Sequence, residues 1–185
     1  MATTKIDLGQ VVPTNHYADI YFSPTATPLV GASNLYSTKT WASFKNFKDS
    51  SDEEAFEIAS YTTDEGETIS TVKFKKNGTV KVTLNGGIRA TVSGERDDIW
   101  AGVEPYFFEA GKTPSTTSGT QFAYGVTPSY LMNNAENGLH ACCITRVTEG
   151  EQVMFRVLAC VPYGSTYTGK VVLSSTVYFE YLSIS

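Results

Sequence analysis

Apolar and polar residues alternate in short runs along much of the chain. A period of two residues is typical of a strand with one buried face, because successive side chains of a strand point to opposite sides. The pattern predicts strands at 16–22, 68–74, 79–84, 88–92, 121–126, 139–147 and 152–161, and one or two strands at 170–184. Asn77-Gly78 lies between two of these runs and favours a tight hairpin. We therefore expect antiparallel strands.

The pattern is less regular in the first third of the chain and at one later point. Pro24 and Pro28 are expected to interrupt the chain, because proline cannot donate a ladder hydrogen bond. The run from Trp41 to Phe47 alternates and predicts a strand. Residues 48–57 have acidic residues early in the segment, which favours a helical turn there. The Asn-Gly-Gly segment at 85–87 is expected to end the strand before it.

Composition points to an all-β chain. The 185 residues include 24 Thr, 17 Ser, 11 Tyr and 10 Phe, which suit the pleated, half-buried surface of a sheet. A hydrophobic content of 41% excludes disorder of the whole chain, and no run approaches the ~18–20 apolar residues of a membrane-spanning helix. The net charge is −5 and the basic residues do not cluster. We therefore expect neither nucleic acid binding nor membrane insertion.

The three cysteines indicate the redox environment. Cys142 and Cys143 are adjacent, so they should point to opposite faces of a strand rather than bond to each other. Cys160 ends an apolar stretch and is expected to be a buried free thiol. No apolar signal region follows the first five residues. We expect a protein that is made in a reducing cytosol and kept or assembled there.

Three segments of the last two-thirds resemble motifs of the jelly-roll heads of the C1q and tumour-necrosis-factor group. Residues 74–82 (FKKNGTVKV) match its glycine-centred hairpin, and residues 144–155 (ITRVTEGEQVMF) match its Gly-Asp strand pair, with Glu for Asp. Residues 178–182 (YFEYL) match its closing aromatic strand. The resemblance covers 68–185 and implies an antiparallel jelly-roll β-sandwich. Residues 16–67 then form either additional strands or a separate shoulder.

The N-terminal segment resembles another group of proteins. Residues 1–12 (MATTKIDLGQVV) are similar to the opening of many bacteriophage fibre and receptor-binding proteins, in which a Lys-Ile-Asp-Leu-Gly segment precedes a stalk or a head. This resemblance implies a virion protein that forms a homotrimer. We expect residues 1–15 to be an extended arm whose apolar side chains dock onto another virion protein or subunit. The candidate attachment residues are Ile6, Leu8, Val11 and Val12.

Aromatic residues beside loops are the clearest functional signal. Trp100 follows the acidic pair Asp97 and Asp98, and Tyr163 and Tyr167 lie in a glycine-containing loop. A flat ring beside carboxylates can hold a sugar, because the ring stacks on C–H groups while polar groups bind hydroxyls. These five residues are the candidate ligand site. The alternative for the tryptophan is packing in the core or between subunits.

Catalytic and metal-binding patterns are weak. His140 and Cys142 lie on one face of a predicted strand, but no third group is identified to orient the histidine, so we interpret the pair as structural. The chain lacks the His and Cys spacings of a zinc site. Carboxylates at 64–67 and 97–98 offer oxygen ligands for Ca²⁺ or an acid pair for glycoside hydrolysis, with solvated turns as the alternative. We expect no enzyme activity and no cofactor, with Ca²⁺ left open.

Three functions follow, in order of preference. The first is a virion surface protein, such as a fibre, whose trimeric head binds a host-surface receptor, either a glycan or a protein. The second is a purely structural virion part, such as a head fibre, capsid-decoration protein or baseplate protein. The third is an enzyme that degrades polysaccharide.

Overall fold

The structure of the chain is a computed structural model. The structure describes residues 16–23, 25–30, 38–44, 47, 52–62, 66–92, 99–112, 129–131, 136–160 and 168–185. The predicted strand at 121–126, the arm at 1–15, and the acidic segments at 64–65 and 97–98 lie outside the described residues.

Eleven strands lie within these ranges. In chain order they are β1 (Tyr17–Tyr21), β2 (Thr25–Val30), β3 (Thr38–Trp41), β4 (Phe56–Thr62), β5 (Thr68–Phe74), β6 (Gly78–Val92), β7 (Ile99–Phe108), β8 (Ser129–Leu131), β9 (Glu136–Val147), β10 (Gln152–Cys160) and β11 (Thr168–Ile184). They form two sheets, and every strand pair is antiparallel.

The strand order defines the architecture. Sheet 1 has the order β1-β11-β6-β9, with β2 also pairing with β11. Sheet 2 has the order β4-β5-β10-β7-β8, with β3 also pairing with β10. From β5 onward every connection except β7 to β8 crosses between the sheets, which is the double Greek-key path of a jelly roll. The predicted all-β, antiparallel jelly-roll β-sandwich is confirmed. The strands of residues 16–62 pair within the same two sheets.

The core lies between the sheets, on the faces that alternation predicted to be inward. Fully or almost fully buried side chains include Val80, Val82 and Leu84 of β6, Val153, Phe155 and Val157 of β10, and Val177 and Phe179 of β11. The ring of Phe179 lies 5.9 Å from that of Phe56, 6.0 Å from Phe74 and 6.1 Å from Phe155. Aromatic rings from both sheets thus meet at one point, which fixes how the two layers pack.

Three expectations about strand ends are wrong. The glycines at 86–87 do not end β6, because the backbone of β11 lies so close that a Cβ on Gly86 would be 2.4 Å from the Cα of Ser175. Glycine here permits close approach inside a continuous strand.

Pro28 lies within β2, which pairs with β11 alone among the described strands, so no second ladder needs its missing N–H. The strand expected at Trp41 to Phe47 ends at Trp41.

A single turn of helical hydrogen bonding forms at 52–56, within the segment 48–57 where a helical turn was expected, and residues 48–51 lie outside the described residues. The N–H groups of Ala55 and Phe56 donate to the carbonyl of Asp52 at 3.2 and 3.1 Å, and the Glu54 N–H donates to Asp52 Oδ1 at 2.8 Å. β4 then begins at Phe56, whose ring is fully buried. Apolar and polar residues alternate only weakly along β4, so the sequence pattern did not predict this strand.

Asp52 also joins this turn to the start of β1. Its Oδ2 contacts Nδ1 of His16, and its N–H donates to the carbonyl of Tyr17 at 2.8 Å. Partial burial raises the pKa of Asp52, but hydrogen bonds from His16 and from the Glu54 and Ala55 backbone, with the attraction of the His16 charge, lower it more. The net pKa of Asp52 is below its ordinary value.

Candidate functional site

Most of the residues that the sequence proposed for function lie outside the described part of the chain. These are Ile6, Leu8, Val11 and Val12 of the arm and Asp97, Asp98, Tyr163 and Tyr167 of the loops. Trp100 is described only by its backbone, which lies in β7 and pairs with Tyr130 of β8 and Cys160 of β10. The proposal that these residues form one ligand site therefore stays a prediction.

The outer face of sheet 2 carries a buried ion pair that the sequence did not predict. The Nε of Arg156 donates to Glu104 Oε2 at 2.8 Å, and its Nη2 contacts the same oxygen. Both residues are at least 95% buried. The guanidinium lies against two rings that also contact each other, 5.0 Å from the centre of Tyr106 and 5.7 Å from that of Trp41. The rings and the carboxylate together replace the water that a buried cation loses.

A hydrogen-bonded chain continues along the same face. Thr71 Oγ1 donates to Gln152 Oε1 at 2.8 Å, and Gln152 Nε2 donates to the hydroxyl of Tyr61 at 3.0 Å. Apolar side chains of Met154, Phe108 and Ile69 lie beside it and are also buried. Because this face is covered and its polar groups are paired, we interpret it as structural.

The outer face of sheet 1 is different because it is open. Three rows of side chains cross the strands β1, β11, β6 and β9, as the strand register shows. The rows are Tyr17, Glu180, Lys81 and Ile144; Asp19, Tyr178, Thr83 and Cys142; and Tyr21, Thr176, Asn85 and His140. All twelve side chains are partly or fully exposed. We call these twelve residues the open face.

Large apolar groups stand on the open face. Tyr21 is 60% exposed and Ile144 is 56% exposed, and the two lie on opposite edges of the face. The rings of Tyr17 and Tyr178 stack at 5.6 Å between centres. Partial burial raises the pKa of Tyr178, and the charge of Glu180 adds to the increase. The face therefore combines aromatic and aliphatic surface with a few charges, a mixture typical of protein contacts.

β9 forms one edge of the open face and pairs only with β6 among the described strands. The other edge of this 12-residue strand has no partner among the described strands, and the N–H and C=O groups of such an edge can pair with another chain. Cys142 is exposed on its outer side, while Cys143 points inward, as the sequence predicted. Burial raises the pKa of Cys143 to about 11, and the neighbouring Cys142 adds to this. The inner thiol is therefore protonated and unreactive at neutral pH.

His140 also lies on the outer side of β9. Its Nδ1 is 2.6 Å from Oδ1 of Asn85 on β6, the residue directly opposite. His140 and Cys142 share one face, as predicted, but among the described residues the thiol contacts the Thr83 hydroxyl and no hydrogen bond joins it to the imidazole. This geometry agrees with a structural role for the pair.

An open groove of about 530 Å³ lies at the end of sheet 1, one row beyond Ile144. β6 begins here, and β9 and β11 end here. Its lining residues are Asn77, Gly78, Thr79, Arg146, Val147, Thr148, Ser183 and Ser185. Ser183 is exposed instead of inward, because the pairing of β11 with β6 shifts by one residue after Tyr181. Sequence reasoning missed the groove, since its residues come from three distant segments.

The described residues carry neither a metal-binding cluster nor a membrane-spanning helix. Within these ranges no three His, Cys, Asp or Glu side chains lie close enough together to hold a metal ion. No helix with the length and hydropathy of a membrane span occurs in the described part of the chain.

Comparisons with known proteins found similar structures but no related sequence. No family model matches the chain, and no curated protein matches it. The crystal structure of murine APRIL at pH 5.0 is 10% identical, over 85% of this chain and 99% of that chain, with a TM-score of 0.39. The Eiger TNF structure from S. frugiperda is 9% identical, over 88% and 94% of the two chains, with a TM-score of 0.35.

A virus structure and a carbohydrate-binding structure are similar to a comparable degree. The structure of infectious bursal disease virus Gt strain is 9% identical, over 94% of this chain and 60% of that chain, with a TM-score of 0.38. A carbohydrate binding module of Cellvibrio mixtus lichenase 5A is 10% identical, over 90% and 98%, with a TM-score of 0.31. The jelly-roll architecture of the present chain is defined by its strand order and pairing, and these distant likenesses add no functional assignment.

Proposed function

We propose that this chain is a bacteriophage virion surface protein whose trimeric head binds a saccharide receptor on the host. The observation that carries the proposal is the open face of sheet 1, where Ile144 is more than half exposed on β9 and Tyr21 is more than half exposed on β1 at the opposite edge. The outer edge of β9 has no partner among the described strands. A soluble monomer gains nothing from exposing such groups together with an unpaired strand edge. Contact with another copy would bury both.

The arrangement favours a ring rather than a two-fold dimer. The open face and the edge of β9 are adjacent but different surfaces, so the edge of one copy can pack on the face of the next. Such head-to-tail contacts close into a ring when the rotation between copies is suitable. A three-membered ring has a mass of three times 20.1 kDa.

The virion assignment has support from the sequence. Residues 1–12 resemble the opening of phage fibre and receptor-binding proteins, and we assign 1–15 to attachment within the virion. We propose no catalytic activity and no cofactor, because among the described residues His140 is hydrogen-bonded to Asn85 and Cys142 to Thr83, and no hydrogen bond joins the imidazole to the thiol. Saccharide is favoured over nucleic acid as the ligand, since the net charge of −5 repels a phosphate backbone.

The assembly is tested by mass in solution, measured by light scattering after size exclusion. Ile144→Lys places a charge in the proposed contact, and Thr62→Lys places the same charge on an exposed position of β4 in sheet 2. We expect a trimer for the wild type and for Thr62→Lys, and a monomer for Ile144→Lys. A monomeric wild type at micromolar concentration would overturn the trimer.

The receptor is tested with arrays of bacterial surface saccharides, including lipopolysaccharide, capsule and teichoic acid fragments. Labelled trimer is expected to bind a defined subset of the array, and the monomeric variant to bind it more weakly because avidity is lost. A stable trimer that binds none of these saccharides would contradict the receptor role and favour a structural virion part.

A further inference from the structure

The groove at the end of sheet 1 has the size and composition of a ligand site. Its volume of about 530 Å³ lies within the roughly 300–1,000 Å³ that is common for small-molecule pockets. Side chains of Asn77, Thr79, Thr148 and Ser183 offer hydrogen-bonding groups, and one cation is among the described lining residues. No carboxylate side chain is among its described lining residues.

The cation is Arg146, which lies exposed at the end of β9. Its guanidinium makes no ion pair within the described part of the chain, unlike the buried guanidinium of Arg156. The two acids of the adjacent turn are Glu149 and Glu151. The Glu151 carboxylate accepts the Thr148 N–H at 3.0 Å, and neither acid forms an ion pair with Arg146. The five donors of Arg146 remain available to a ligand.

Hydrogen bonds join the segments that hold these groups. The Glu149 N–H donates to Asn77 Oδ1 at 2.8 Å, and the Ser185 N–H donates to the carbonyl of Asn77 at 3.1 Å. These bonds tie the turn after β5 to the ends of β9 and β11. The Asn77 Oδ1 is thereby used, which leaves the amide NH₂ of this side chain as a donor toward the groove. A site built on strand ends is positioned more accurately than one built on loops alone.

We infer that this groove binds a saccharide that carries a carboxylate. A guanidinium matches a carboxylate with two parallel hydrogen bonds, and the surrounding hydroxyls and amide match the hydroxyls of a sugar ring. Arg146 holds the acid group, while Thr79, Thr148 and Ser183 contact the ring. The inference rests on the proposed function, because it assigns the receptor class and its place on the head.

The test uses the full-length protein and an array of uronic acid and sialic acid oligosaccharides. Each probe is paired with a counterpart whose carboxylate has been reduced to an alcohol. Wild-type protein is expected to bind at least one acidic probe and to bind its reduced counterpart about tenfold or more weakly. Arg146→Gln should lose binding to a similar extent, and Arg146→Lys should lose part of it, because lysine lacks the bidentate geometry.

The matched control is Lys170→Gln, an equal loss of charge at an exposed position of β11 near the other end of sheet 1. It should bind as the wild type does, and all variants should show the wild-type mass and melting temperature. Equal binding of acidic and reduced probes, unchanged binding by Arg146→Gln, or binding of sulfated or neutral sugars only would overturn the inference. Neutral-sugar binding by an intact trimer would leave the proposed receptor function standing, whereas an array without any binding would remove both.

Discussion

Replacing Glu104 with glutamine tests whether the outer face of sheet 2 holds a dry ion pair. Glu104 is 2% exposed and Arg156 is 5% exposed, so the variant leaves a guanidinium buried without its counter-charge. Removal of one partner of a buried ion pair costs about 3–5 kcal/mol. The amide oxygen of glutamine still accepts the Nε–H, and the rings of Tyr106 and Trp41 still face the cation. We therefore expect about 3 kcal/mol, the lower end of that range.

The expected loss is large compared with the stability of a typical domain. Domains unfold with about 5–15 kcal/mol, so about 3 kcal/mol is a fifth to more than a half of the total. The measurement is urea denaturation, followed by tryptophan fluorescence at one fixed protein concentration, because association would shift the apparent stability. A loss below about 1 kcal/mol for Glu104→Gln would refute the argument, since it would mean that water reaches the guanidinium.

The double variant Glu104→Leu with Arg156→Met is the matched control for this reasoning. It removes both charges and fills the space with apolar groups of similar length. Replacement of a whole buried pair is often neutral or stabilising, so we expect the double variant to be within about 1 kcal/mol of the wild type. The difference between the single and double variants separates the cost of an unpaired charge from the cost of altered packing.

Three further predictions concern the turn, the groove frame and the core. Asp52→Asn should be less stable than the wild type near neutral pH, and the difference should vanish as pH falls through the pKa of Asp52. The reason is that a carboxyl group with a lowered pKa stabilises the fold only while it is ionised. Urea denaturation at several pH values measures the difference. A difference independent of pH would contradict the role of the contact with His16. Gly78→Ala should lose about 1–3 kcal/mol in urea denaturation, because its Cβ would lie 2.1 Å from the carbonyl oxygen of Ser183. Phe179→Ala should lose about 3–5 kcal/mol in the same assay, and a loss near zero would show that the sheets do not close on this ring.

The sequence predicted those parts of the fold in which the alternation within a single strand determines which of its faces is buried. Alternation in β6, β10 and β11 identified the inward residues, including Phe155 and Phe179, because a strand with one buried face must repeat every two residues. The prediction was wrong where the partner strand decides the outcome. From its own segment, Gly86 is expected to end a strand. The close approach of the β11 backbone explains why a glycine occupies this position inside β6.

The candidate sites also depend on residues from distant segments, which the pattern of a single strand does not predict. The ion pair joins Arg156 to a residue 52 positions away, and the alternation of β10 alone carries no signal for this partner. The hairpin expected at Asn77-Gly78 is wrong, because this segment carries the chain from β5 in sheet 2 to β6 in sheet 1. Arg146 and Asn77 lie 69 positions apart, and the local motifs that contain them carry no signal that both reach the same end of sheet 1. Long-range juxtaposition in a jelly roll follows from its crossovers between sheets, which a local pattern does not encode.

The contrast between the two sheets links the proposed assembly to the proposed ligand. Sheet 2 has side chains buried on both faces, whereas sheet 1 presents an open outer face that ends at the groove. Ile144 and Arg146 are two residues apart on the same side of β9, so a contact centred on the isoleucine would leave the arginine at its rim. A three-fold ring would then turn three equivalent grooves toward one end of the head. Single saccharide sites are usually weak, and linked sites can raise overall affinity by about 10²–10⁴ when all are engaged together. Assembly through the open face would thus make a modest groove sufficient for attachment, and the loss of saccharide binding in Ile144→Lys should exceed any change in the affinity of its isolated sites.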